Sequence, residues 1–168
     1  MGSEMCIRDR SKVTFPFRFK IAGSGEESYV ASLKALAMSY GINQYIEWVG
    51  WKSGEEKFEY LSGLDLFALT SHSENFAIVV IESLSVGTPV LISDQVGLHK
   101  YVSNQDLGWV TSLEVDNVSD ALNTCVSQKE KATRIQTHAP AQIHTEYRDD
   151  ILASQYIDYY TYIVSQKK

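Results

Sequence analysis

Two spacings of apolar residues alternate along the chain. The run Phe17-Arg18-Phe19-Lys20-Ile21-Ala22-Gly23 has the look of a strand delivered into a glycine turn. Over residues 26–40, Val30, Leu33, Leu36 and Ala37 fall at helical spacing, and Gly41 is a fitting stop. A strand at 45–49, a short helix at 55–61 and a largely apolar strand at 64–70 continue the alternation. A helix over 76–86 closed by Gly87 leads to a short buried strand at 89–93. The pattern repeats more weakly as a helical turn at 98–102, a strand at 107–111, a helix at 115–127 and a helical stretch to 138. Pro140 is then read as the break before an amphipathic helix over 141–165, with Tyr147, Ile151, Ser154, Ile157, Tyr160 and Val164 on one face. Such alternation predicts an α/β fold: a single Rossmann-like domain, its parallel sheet covered by helices on both faces, plus the C-terminal amphipathic helix, with the sheet core over residues 17–138. Sheets of this kind bind ligands beyond the carboxyl ends of their strands.

Composition narrows the partners. With 168 residues, 44% of them hydrophobic and only three prolines, the chain can bury one core. Its 15 basic residues against 21 acidic ones give a net charge of -6, which argues against phosphate-backbone binding to nucleic acid. A small anion remains possible, since a helix N-terminus holds phosphate without a basic surface. No apolar run reaches the roughly 18 residues of a membrane span. Cys6 and Cys125 form neither a disulfide framework nor a metal cluster, and His72, His99, His138 and His144 lack metal-ligand spacing, so no metal is expected. A cytoplasmic setting follows, in solution or at the cytoplasmic face of the membrane. Residues 1–11 stand apart. Met5-Cys6-Ile7-Arg8-Asp9-Arg10 has neither periodicity and resembles one reading frame of a sequencing-library adaptor, so this stretch is read as a non-native or disordered leader.

The chemistry gathers between Ser71 and Val90. This segment leaves a strand at its carboxyl end, passes through Ser71, His72, Ser73 and Asn75, and enters a helix whose first amides are free for an anion. Glu74 and Glu82 stand on either side of that helix start, and carboxylates there suit the hydroxyls of sugars flanking a diphosphate. If the step between them were wholly helical, it would span roughly 12 Å, the scale of a nucleotide sugar. Gly23-Ser24-Gly25 is no dinucleotide fingerprint, because position 28 is serine where the third glycine belongs.

Glu, seven residues, Glu, then Gly87-Thr88-Pro89-Val90 resembles the signature of family 4 (group 1) glycosyltransferases with the GT-B fold. Residues 19–25, 46–50, 64–67, 96–98 and 108–110 support the resemblance in order and spacing, so it covers about residues 17–125. It implies a donor-binding C-terminal domain, residues 12–168, of a retaining enzyme that transfers a hexose from a UDP- or GDP-type nucleotide sugar to a glycan or lipid-linked acceptor, without a cofactor. Glu74 would be the catalytic-site acid touching the donor hexose, and Glu82 would accept both ribose hydroxyls. The amides of Asn75, Phe76, Ala77 and Ile78 would face the diphosphate. Val49, Gly50 and Trp51 would border the base, and Gly97 with Leu98 would close over the phosphates or sugar. Where the family has Glu-Gly-Phe-Gly, this chain has Glu74-Asn75-Phe76-Ala77, and Asn75 is expected to carry any positive φ. The basic loop that the family places before the strand at 17–23 is missing, so a truncated, inactive fragment lacking its N-terminal acceptor domain is expected. Self-association through the terminal helix would follow from exposing its tyrosines. Two alternatives are a non-catalytic Rossmann-like interaction module and a GT-B sugar-nucleotide epimerase.

Overall fold

Helices and strands take turns along nearly the whole chain in a computed structural model that describes residues 2–166. In order they are α1 (Gly2–Arg10), β1 (Phe19–Ala22), α2 (Glu27–Ser39), β2 (Ile46–Gly50), α3 (Gly54–Ser62), β3 (Phe67–Leu69) and α4 (Ile78–Ser85). There follow β4 (Val90–Ser93), α5 (His99–Asn104), β5 (Gly108–Thr111), α6 (Val115–Ser127), α7 (Lys129–Glu146) and α8 (Asp149–Ser165). Every ladder is parallel, as helical crossovers require. The sheet is laid down as two ladders, β1-β2 and β3-β4-β5. In the second, Phe67 lies opposite Val90 and Val90 opposite Gly108.

The apolar run Val90-Leu91-Ile92 makes β4 a strand buried on both faces, and it sits in the middle of its ladder. Val80 and Leu84 of α4, Val118 and Leu122 of α6, and Ile135, Ala139 and Ile143 of α7 close over it in one cluster. A smaller cluster of Ile7, Leu33, Ala37 and Ile42 serves the β1-β2 ladder.

Three stretches differ from their sequence pattern. Residues 2–10, read as leader, form α1, in which Cys6, Ile7, Asp9 and Arg10 are buried. Those four positions follow helical spacing, but two of them are charged, so no hydrophobic periodicity marks the helix. Ser119 donates a hydrogen bond of 3.0 Å to the Asp9 carbonyl, and the Arg10 guanidinium lies 4.5 Å from the centre of the Phe19 ring. Second, Pro140 lies inside α7 rather than ending it. The hydrogen bond it forgoes is the one to the Gln136 carbonyl. The backbone of Gly87 packs close to that carbonyl, since a Cβ at Gly87 would sit 2.8 Å from the Gln136 oxygen. Third, α8 buries none of its residues, and Ile157, Tyr160 and Val164 of its expected apolar face are 65%, 63% and 70% exposed. No helix among the described residues is long and apolar enough to cross a membrane.

Candidate functional site

Beyond β3 the chain runs across the carboxyl ends of the strands, where polar residues tie it down. The Ser93 hydroxyl at the end of β4 donates to the Ser71 carbonyl at 2.5 Å. Glu74 then forms a lone parallel bridge with Val96, and the Gly97 amide donates to the Glu74 carbonyl at 2.8 Å. The approach is so close that a Cβ on Gly97 would lie 1.9 Å from the Asn75 oxygen, so no larger residue fits without moving one of the two strands of chain. Gly97 thus shapes the turn that presents Asn75 and Phe76.

The turn into α4 is made at Ala77, with φ 54° and ψ 59°. This corrects the expectation that Asn75 carries the positive φ. A left-handed conformation costs a residue with a Cβ roughly 1–2 kcal/mol, and Ala77 adopts it because Gly97 and the Val80 amide, which donates to the Ala77 carbonyl at 2.8 Å, fix the chain on either side. As α4 begins only at Ile78, the step from Glu74 to Glu82 is helical over its last part alone. The rod of roughly 12 Å does not apply. Among the described residues, the backbone amides of Asn75, Phe76, Ala77 and Ile78 donate no hydrogen bond to the protein. Asn75, Phe76 and Ile78 are exposed and Ala77 is half-buried.

Two hollows meet at this turn. One, of about 410 Å³, is lined by Glu74, Ala77, Val79 and Leu69 together with Phe76 and Ile78. The other is an open groove of about 1320 Å³ that shares Phe76 and Ile78, takes in Glu82, and is walled on its far side by Ile151 and Tyr156 of α8. Glu74 is exposed, whereas the Glu82 side chain keeps 15% of its surface. Glu82 Oε1 is engaged by Nζ of Lys57 from α3, and its Oε2 is enclosed without a hydrogen-bond partner. Phe76 packs against Tyr147 (ring centres 6.3 Å apart), which meets Tyr101 edge-on at 5.9 Å. The Tyr101 hydroxyl donates to Glu146, and burial together with that carboxylate raises its pKa well above the usual phenol range.

The remaining expected residues are placed apart from these hollows. Val49, Gly50 and Trp51 end β2, where the Gly50 carbonyl accepts the Gly23 amide at 2.8 Å and Trp51 is 71% exposed, but none of the three lines either hollow. The Leu98 side chain is buried in the core, so only its main chain remains to meet a ligand. His99 turns Nδ1 to the Val96 carbonyl at 2.8 Å. No group of three or more His, Cys, Asp or Glu among the described residues is placed to hold a metal ion. Lys57 had escaped the sequence reading. Its partner is 25 positions away, and nothing local marks it.

Residues 10–142 match the family described as Glycosyl transferases group 1. The chain belongs to that family. Among its relatives, an uncharacterized glycosyltransferase of Methanocaldococcus jannaschii is 23% identical over 95% of this chain and 41% of its own. The D-inositol 3-phosphate glycosyltransferase of Nocardia farcinica is 31% identical over 71% of this chain and 27% of its own. Anabaena HepE, crystallised with UDP and glucose, shares the fold with a TM-score of 0.81 at 20% identity, over 94% of this chain and 44% of that one. Sucrose-phosphate synthase of Thermosynechococcus elongatus does so with a TM-score of 0.83 at 17% identity, over 99% and 43%. This is the Rossmann-like α/β domain of GT-B glycosyltransferases, and the group 1 chain spans less than half the length of these relatives.

Proposed function

We propose that this domain binds the nucleotide-diphosphate sugar donor of a retaining hexosyltransferase at the turn into α4. The observation that carries the reading is the set of four amides, Asn75 to Ile78, without protein acceptors, with Glu74 before them and Glu82 after. Free amides at a helix start, reinforced by the helix dipole, stabilise a diphosphate and the charge that grows on it as it departs. Glu74 accepts hydroxyls of the hexose in the smaller hollow. Glu82, which lines the larger groove, accepts the ribose hydroxyls. Gly97 orients the turn through the Glu74 carbonyl, the main chain at Leu98 closes from the far side, and Val49, Gly50 and Trp51 border a UDP- or GDP-type base. No metal or further cofactor enters this reading. A second, acceptor-binding domain completes the cleft, because transfer requires an acceptor held in line and water kept out. The 168-residue chain alone therefore binds donor without turning it over, in the cytoplasm or at its membrane face.

Calorimetric titration of UDP and of GDP tests this. Glu82→Ala is expected to weaken the preferred nucleotide by about tenfold to a hundredfold, the scale of losing charge-assisted hydrogen bonds. Unchanged affinity in that variant removes the ribose role. A second reading, a non-catalytic interaction module, draws on the exposed tyrosines of α8. It predicts no response to any nucleotide and a concentration-dependent oligomer in light scattering.

A further inference from the structure

We infer that Lys57 is a positioning residue for Glu82: it holds the carboxyl group in one orientation for the ribose. The inference rests on the reading of Glu82 as ribose acceptor. Lys57 reaches from α3 to Oε1 of Glu82 on α4, and both side chains are largely covered, at 29% and 15% exposure. The neighbouring cation, Lys52, is engaged by Glu56. Among the described residues, Lys57 is therefore the cation that neutralises Glu82.

Lys57 gives that carboxylate a charge-assisted hydrogen bond, which holds it more firmly than a neutral donor would. Fixing Oε1 also restricts rotation of the carboxyl plane, which sets the place of Oε2. That second oxygen is enclosed and takes no hydrogen bond from the protein, so the carboxyl group meets a ligand on the side of Oε1. Oε1 retains a second lone pair beside Lys57, and this is the acceptor for a ribose hydroxyl. An acceptor held in advance loses less freedom on binding than a mobile one, and this is the advantage that Lys57 confers.

The test uses the 168-residue chain with UDP and 2′,3′-dideoxy-UDP, and the guanosine pair alongside. The parent is expected to prefer the ribonucleotide by about tenfold or more. Lys57→Met should cut that preference to about twofold while leaving affinity for the dideoxy nucleotide unchanged. Lys57→Arg, whose guanidinium also serves a carboxylate, should retain it to within about threefold. Three outcomes overturn the inference: full preference in Lys57→Met, tighter ribonucleotide binding in Lys57→Met, or equal weakening of both nucleotides, which marks a merely structural role. If Glu82→Gln loses the preference while Lys57→Met keeps it, the inference alone fails. If the parent shows no preference, or binds neither nucleotide, the Glu82 reading fails and takes the inference with it.

Discussion

The two ladders of this domain are unequally supported. In β3-β4-β5 the central strand is buried at all four positions, and helices α4, α6 and α7 close over it. In β1-β2 the strands are at most half-buried, and the cluster beneath them has four buried members, one of which is Ile7 of α1. The candidate site is divided along the same line. Glu74, the free amides, Glu82 and Gly97 stand on the well-supported ladder, while Val49, Gly50 and Trp51 stand on the other. The groups proposed to hold a diphosphate are thus placed where geometry is least able to drift, and the turn proposed for the base is placed on the more weakly supported ladder.

Truncating one leucine in each half measures the difference most directly. Leu84 is fully buried in the larger cluster and Leu33 is 3% exposed in the smaller. Leu84→Ala is expected to cost about 4 kcal/mol and Leu33→Ala about 2 kcal/mol, because a cavity among many rigid neighbours collapses less. Urea denaturation of both variants checks this. Equal losses would mean that the two halves share one core after all.

The larger half was also the more legible in sequence. The helix expected over about residues 115–127 is α6, in which Val118, Leu122 and Cys125 repeat at helical spacing and pack on β4 and β5. Glu74, Glu82 and Gly97 stood out because their spacing lies within one short segment or just beyond it. What escaped depends on contacts between distant segments. Pro140 lies inside a helix whose Gln136 carbonyl is approached by the backbone of Gly87, over 50 positions earlier, a contact that local sequence does not disclose. Ala77 takes a positive φ because Gly97 presses on Asn75. Residues 2–10 form a helix whose buried face contains Asp9 and Arg10, a face that no hydrophobic pattern discloses.

Asp9 is also a lever on the weaker half. Its carboxyl is fully buried, both oxygens lack hydrogen bonds, and Arg10 stands 3.5 Å away. Burial outweighs the attraction of Arg10 and pushes its pKa up from 3.8 to about 6. The folded chain therefore binds this proton more tightly than the unfolded one. Its contribution to stability is full below pH 3.8 and is lost as the pH rises through about 6. The expected loss between pH 4 and pH 7 is about 2.4 kcal/mol. Asp9→Asn should flatten this part of the profile and be the more stable chain at pH 7 by about 1 kcal/mol, the lost pairing with Arg10 offsetting the remainder. Urea midpoints across that range decide the matter. Parallel profiles for parent and variant would show that Asp9 meets water and that α1 is loosely seated.

The smallest effect concerns the strain at Ala77, and here the sign matters more than the size. Replacing Ala77 by glycine releases a left-handed penalty of roughly 1–2 kcal/mol and adds about 0.5–1 kcal/mol of unfolded-chain entropy, so a net gain of about 1 kcal/mol is expected. Ala68, half-buried and extended in β3 of the same ladder, offers the control. Ala68→Gly has no strain to release and should lose about 1 kcal/mol. Opposite signs at two alanines nine positions apart would show that the well-supported half imposes the conformation of the α4 turn on a residue that resists it. A loss at both positions would mean that the turn relaxes when alanine occupies it, and the amides of residues 75–78 would then not be held in place for a diphosphate. Glycine at position 77 also removes the methyl group beside those amides, so UDP affinity should rise by about twofold alongside the gain in stability.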